Sequence, residues 1–190
     1  MSAESASPQP RNIFLVGYRA TGKTTVAGRL AKLLGWAWCD ADVILEQRAG
    51  RSIRQIFADE GEAGFRRRES EVLADLCQRD RHVIATGGGI ILAEANRARL
   101  RSAGLVVWLR ADPATLWTRL SQDATTAQRR PDLTVGGREE IEALLRQREP
   151  LYREVAEVDL DTVGRTPDDL AAAIVAHWQN LPYAVQKKEL

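Results

Sequence analysis

Eight residues near the start of the chain, Gly17-Tyr18-Arg19-Ala20-Thr21-Gly22-Lys23-Thr24, constrain it more than any other stretch. They read G-x-x-x-x-G-K-[ST], a loop that wraps backbone N–H groups around a phosphate. The apolar run Ile13 to Val16 leads in and reads as a buried strand, and Thr25 to Leu34 follows with the apolar spacing of a helix. Gly17 and Gly22 can take backbone angles closed to bulkier residues, and the helix adds the positive end of its dipole. Lys23 supplies a mobile charge for the β- and γ-phosphates, and Thr24 a hydroxyl for Mg²⁺, which takes oxygen ligands. Gly17, Ala20, Thr21, Gly22, Lys23, Thr24 and Thr25 are therefore the candidate contacts to a nucleoside triphosphate. A chance glycine turn would share the letters without the flanking strand and helix.

The same alternation continues along the chain. Trp36 to Asp40, Arg81 to Thr86, Leu105 to Leu109 and Val158 to Asp161 read as four more strands. Between them the spacing predicts a helix over Val43 to Ala49, with Asp42 as its cap. A longer helix follows from a Ser52 cap through Cys77, broken at Asp59-Glu60-Gly61. Ile90 to Ser102 contains another, and Asp112-Pro113 starts one. Arg138 to Val155 is helical, bent or restarted at Pro150, and Thr166-Pro167 opens the last helix, Asp168 to Trp178. Five strands alternating with helices predict a three-layer α/β/α fold around a parallel sheet. With 190 residues this is one domain. Residues 1–10 read as a disordered leader and 180–190 as a frayed tail.

A net charge of +1 and the lack of an aromatic-basic motif predict no nucleic-acid partner. No run approaches the ~20 apolar residues of a membrane span. Cys39 and Cys77 have no metal or redox spacing and read as reduced thiols of a cytoplasmic protein.

Ligands of an open α/β sheet bind outside the carboxyl ends of its strands, so the residues there are the next candidates. Asp40 and Asp42 stand two apart at such an end and in an extended segment would face one site. Gly87-Gly88-Gly89 follows a buried strand and lets a ligand or another backbone come close, although a flexible turn would also use it. Arg66-Arg67-Arg68 cannot share one helical face, so at most two can point into a cleft. The polar stretch 122–137 carries Arg129-Arg130-Pro131 and reads as a mobile lid bringing positive charge over a transferring phosphate.

The phosphate loop, Asp40-x-Asp42, Phe65-Arg66-x-x-Glu69, Gly87-Gly88-Gly89, Arg130-Pro131 and Arg148-x-Pro150-Leu151-Tyr152 occur here in that order. Together they resemble the shikimate kinases over roughly residues 11 to 178. The resemblance implies a P-loop kinase with strand order 2-3-1-4-5 that moves the ATP γ-phosphate to the 3-hydroxyl of shikimate, in aromatic amino-acid biosynthesis. It implies ATP and shikimate as partners, Mg²⁺ as cofactor and a monomer. By the same resemblance Lys23 and Thr24 match the phosphate and Mg²⁺ residues, and Asp40 the acid near the metal. Asp42 matches the acid on the shikimate hydroxyls, Arg66 and Arg148 the pair on its carboxylate, and Gly88 a substrate-contacting backbone flanked by Gly87 and Gly89. Arg130 matches the lid arginine; Arg119 and the Arg165-x-Pro167 turn resemble the adenine platform. The substrate-binding region would span 42–80. One departure is Asp132, where the family's lid is usually apolar; it sets a like charge near the phosphates unless it points outward or pairs with Arg129.

Three other readings account for less of the sequence. Another small-molecule kinase of the same fold, such as a gluconate kinase, would not need the triple glycine and two matched arginines. A GTP switch would need an N-K-x-D guanine reader, which the sequence lacks. A non-catalytic nucleotide-binding domain would not need Lys23, Asp42 and Arg66 together.

Overall fold

A computed structural model describes residues 12–122 and 137–181. Its sheet has five parallel strands: β1 (Asn12–Val16), β2 (Ala37–Asp40), β3 (His82–Ala85), β4 (Gly104–Arg110) and β5 (Val158–Asp161). The helices are α1 (Lys23–Leu34), α2 (Ala41–Ala49), α3 (Ile53–Leu76), α4 (Glu94–Ala103), α5 (Pro113–Gln122), α6 (Gly137–Val155) and α7 (Pro167–Gln179), with a 3-10 turn at Ile90–Leu92. The strands lie in the order β2-β3-β1-β4-β5, which is the order the resemblance implied.

β1 is central and buried along its whole length. Successive side chains of a strand leave opposite faces, so Phe14 and Val16 enter one core while Ile13 and Leu15 enter the other. The first core takes Trp108 from β4, Phe65 and Leu73 from α3, and Tyr152 and Val155 from α6. The second takes Val26 and Leu30 from α1 and Leu170 and Ile174 from α7. Leu181 also packs on this second core. The strands finish in near register, with Asp40 beside Ala85 and Leu15 beside Ala85 on its other side. The turns that leave β1, β2 and β3 therefore share one edge of the sheet.

Two local expectations are corrected. The helix after β2 begins at Ala41, and its cap is Asp40, whose carboxylate accepts the Asp42 N–H at 3.0 Å. Asp42 lies in the first helical turn, not on an extended strand, because the terminal acid of β2 serves as the N-cap. Pro150 does not divide the helix that contains it: α6 runs through it. Proline deletes one backbone bond, but Tyr152 and Val155 just beyond it are both buried in the core, and helical continuation is what places them there. The break at Gly61 is present as expected, with φ 68° and ψ −173°.

Candidate active site

The phosphate-loop half of the site is one contiguous stretch. Gly17 has φ 139°, and a Cβ there would stand 2.2 Å from the Leu109 carbonyl oxygen, so no larger residue fits. Gly22, at φ 88°, caps α1. Ala20 also sits in the left-handed region at φ 62°, which is uncommon outside glycine. Its methyl packs on the small cluster of Tyr18, Leu116, Leu120 and Ile141 that joins the loop to α5 and α6. The Thr21 hydroxyl donates to the Tyr18 carbonyl at 2.8 Å. Lys23, in the first turn of α1, is buried, and its ammonium donates to the Gly17 carbonyl at 2.9 Å and the Tyr18 carbonyl at 2.7 Å. Thr24 and Thr25 are exposed on that turn. The Thr24 hydroxyl donates to Asp40 Oδ2 at 2.6 Å.

Arg119 of α5 ties the loop to the exit of β5. It donates from Nη1 to the Ala20 carbonyl (3.2 Å) and Thr162 Oγ1 (2.9 Å), and from Nη2 to the Thr162 carbonyl (3.1 Å). Arg165 and Pro167 stand on that same exit, where Thr166 and Asp169 form a capping box on α7.

The second half is assembled from distant segments. A pocket beside the loop is lined by Tyr18, Arg19, Phe57, Glu62, Arg66, Gly88, Leu144 and Arg148. Two guanidinium groups stack on the buried Tyr18 ring, that of Arg19 at 5.6 Å and that of Arg148 at 5.9 Å from its centre. Of the arginine triplet, Arg67 and Arg68 bond to Glu60, and Arg66 alone lines the pocket. Arg66 lies over the Phe65 ring at 5.1 Å. It donates from Nη1 to the buried Glu69 at 2.7 Å, and from Nε and Nη2 to Glu62 at 3.3 Å each. Burial would lower its pKa, but the two carboxylates outweigh burial and raise it, so Arg66 stays charged.

The triple glycine is where these groups meet. A Cβ at Gly87 would stand 2.7 Å from Glu69 Oε1 and 2.9 Å from Asp42 Oδ1. One at Gly88 would come within 3.3 Å of the Gly17 carbonyl oxygen, and one at Gly89 within 2.3 Å of Arg66 Nη1. The glycines therefore serve close approach, and Asp42, Arg66 and the phosphate loop all come to this one turn. The Tyr152 hydroxyl closes it by donating to the Gly88 carbonyl at 2.5 Å. Burial pushes the Tyr152 phenol well above its usual range. Burial also raises both thiols, Cys77 to about 11, so neither is a ready nucleophile.

Arg130 and the rest of the expected lid between 123 and 136 lie outside the described residues, as do Arg129 and Asp132. Among the described residues no three His, Cys, Asp or Glu side chains gather as a metal site. Thr24 and Asp40 nevertheless offer adjoining oxygens beside the phosphate loop, which suits a cation that takes its other ligands from phosphate and water. Sequence reading did not single out Tyr18, Arg19, Phe57 or Glu62. The first two occupy the variable positions of the loop motif. Phe57 and Glu62 straddle the α3 break, and no sequence spacing announces which way they face.

A phosphate loop backed against a second, cation-lined pocket defines a P-loop kinase of small molecules. The family model for shikimate kinase matches residues 19–179. The shikimate kinase of Rhodopirellula baltica is 45% identical over 168 residues, covering 88% of this chain and 90% of that protein. That of Methylococcus capsulatus is 48% identical over 153 residues, covering 80% and 83%. Among solved structures, shikimate kinase from Acinetobacter baumannii in complex with shikimate has a TM-score of 0.83 at 40% identity, covering 93% of this chain and 96% of that one. This chain belongs to the shikimate kinase family, and shikimate kinase activity is its activity. A gluconokinase from Sinorhizobium meliloti, at 17% identity and a TM-score of 0.61, shares the fold alone.

Proposed function

We propose that the chain transfers the γ-phosphoryl group of ATP to the 3-hydroxyl of shikimate, with the donor and acceptor halves meeting at Gly88. The observation that carries this is the approach of the Gly88 position to the Gly17 carbonyl, which sets the cationic pocket directly against the phosphate loop. Arg66 and Arg148 hold the shikimate carboxylate, for which the guanidinium fork is the matching donor. Asp42 and the backbone of Gly87, Gly88 and Gly89 hold its hydroxyls.

Lys23 leaves the Gly17 and Tyr18 carbonyls for the β- and γ-phosphates when these arrive. Arg119, Arg165 and Pro167 bound the adenine side, and Arg130 covers the transferring group from the lid. Thr24 and Asp40 would hold Mg²⁺, with the remaining ligands from phosphate and water. When bound, the ion would offset negative charge on the phosphates. The 3-hydroxyl oxygen bonds to the γ-phosphorus as its bond to the bridging oxygen breaks, the hydroxyl proton passes to Asp42, and ADP leaves. Phosphoryl transfer of this kind asks for positioning and charge more than covalent work.

Among the described residues no helix is long and apolar enough to cross a membrane. A coupled assay across shikimate, gluconate and nucleoside monophosphates tests the assignment: turnover with shikimate is expected, and turnover with gluconate alone would overturn it. Asp42→Asn separates base from anchor, because loss of a base lowers kcat while loss of an anchor raises KM alone.

A further inference from the structure

Two carboxylates hold Arg66, and they do so differently. Glu69 is 3% exposed and meets Nη1 at 2.7 Å, as a built-in support. Glu62 is 66% exposed and sits on Nε and Nη2 at 3.3 Å each. Those two nitrogens form the edge of the guanidinium fork that receives a planar carboxylate with two parallel bonds. Glu62 also lines the acceptor pocket, in which Arg148 is the other cation matched to carboxylate binding. It follows the break at Gly61, and among the described residues only Arg66 donates to its carboxylate.

We propose that Glu62 is an internal placeholder for the acceptor carboxylate. It occupies the Arg66 fork before the substrate arrives and swings outward when the substrate carboxylate takes the fork. This rests on the reading that Arg66 grips that carboxylate. Two anions cannot share one edge of one guanidinium, so Glu62 must yield. An exposed ion pair with long contacts is weak, and the exchange therefore draws little from substrate affinity. The placeholder keeps Arg66 aimed into the pocket in the absence of substrate, while Glu69 keeps it anchored in both states. A carboxylic acid is favoured over an uncharged analogue because only the former compensates for the displaced Glu62.

Calorimetric titration of shikimate into the wild-type protein, Glu62→Gln and Arg66→Ala tests this, with the methyl ester of shikimate as the uncharged comparison. Glu62 is largely exposed and its replacement keeps the side chain's shape, so the variant is expected to fold. Removing the competing charge should tighten shikimate binding about two- to fivefold and leave ester binding unchanged. Unchanged or weaker shikimate binding would overturn the proposal, since a mere support would weaken it. Equal tightening of the ester would overturn it as well, since it would point to space and not to charge. Unchanged shikimate affinity in Arg66→Ala would instead break the underlying reading of Arg66. A loss there, with no gain in Glu62→Gln, breaks the placeholder alone.

Discussion

The donor and acceptor halves of this site hold their charged groups in opposite ways. In the phosphate loop, Lys23 is held by backbone carbonyls five and six residues away, Tyr18 and Gly17. In the acceptor pocket, Arg66 is held by side-chain carboxylates, and the pocket around it draws on β1's exit, α3, β3's exit and α6. On the proposed reading the donor half binds a part common to every nucleoside triphosphate, so a local backbone motif suffices. On the same reading the acceptor half recognises one small hydroxylated acid, and only side chains brought from several elements can match its outline. The loop is thus the constant part and the pocket the specific part, and they should fail differently when damaged.

The largest effect is expected at Lys23. Lys23→Ala should lower kcat by about 10³-fold or more, as for removal of a preorganised charged donor. The side chain is buried between two carbonyls, so the variant should also lose about 1–3 kcal/mol of stability. Steady-state kinetics and thermal unfolding read both. A variant with normal kcat and a raised shikimate KM would erase the contrast between the halves.

Arg66→Ala comes next. A desolvated carboxylate that loses a charged partner forfeits about 2–5 kcal/mol, so shikimate KM should rise steeply while the affinity for ADP holds. Loss of ADP binding in this variant would show that the halves are not separable. Gly89→Ala sharpens the point without removing a charge, because its Cβ would press on Arg66 Nη1 at 2.3 Å. The clash is with the flexible end of Arg66, so the fold should tolerate it while the guanidinium moves, and a loss of about 1 kcal/mol in substrate binding reads as a KM increase of about fivefold. An unaltered KM would mean that the fork position is not critical.

The smallest effect is expected at Tyr152, which stabilises the turn between the halves. Tyr152→Phe removes the bond to the Gly88 carbonyl, for a loss of about 1 kcal/mol in denaturant unfolding. Its pH dependence has a definite sign. The folded phenol is raised above the ordinary value of 10.0, so stability is fully present below pH 10.0 and falls as the unfolded chain ionises above it. The Phe variant should show a shallower alkaline decline, and an identical decline would assign it to other groups.

Much of the fold could be read from local pattern. The strand, loop and helix at residues 12–34 follow from apolar runs and two glycines, as do the Ser52 and Thr166 caps and the stop at Gly61. The pairing order of the strands could not be read that way, because hydrogen-bonded neighbours such as Asn12 and His82 are far apart in the chain. It came from family resemblance, as did the choice of Arg66 among its neighbours. The expected Asp42 cap on α2 gives way to Asp40 for a related reason: both are good capping residues, and the end of β2 selects the first.

The chain's sequence by itself determined the phosphate-loop motif at Gly17 to Thr24, because the residues that define it lie within eight consecutive positions. Only the tertiary structure decided that Tyr18, Phe57, Glu62, Arg66, Gly88 and Arg148 share one pocket. The physical reason is range. Backbone angles, caps and apolar periods act over a few residues, whereas a recognition surface forms only after the sheet has ordered its strands and the two cores have packed α3 and α6 against it.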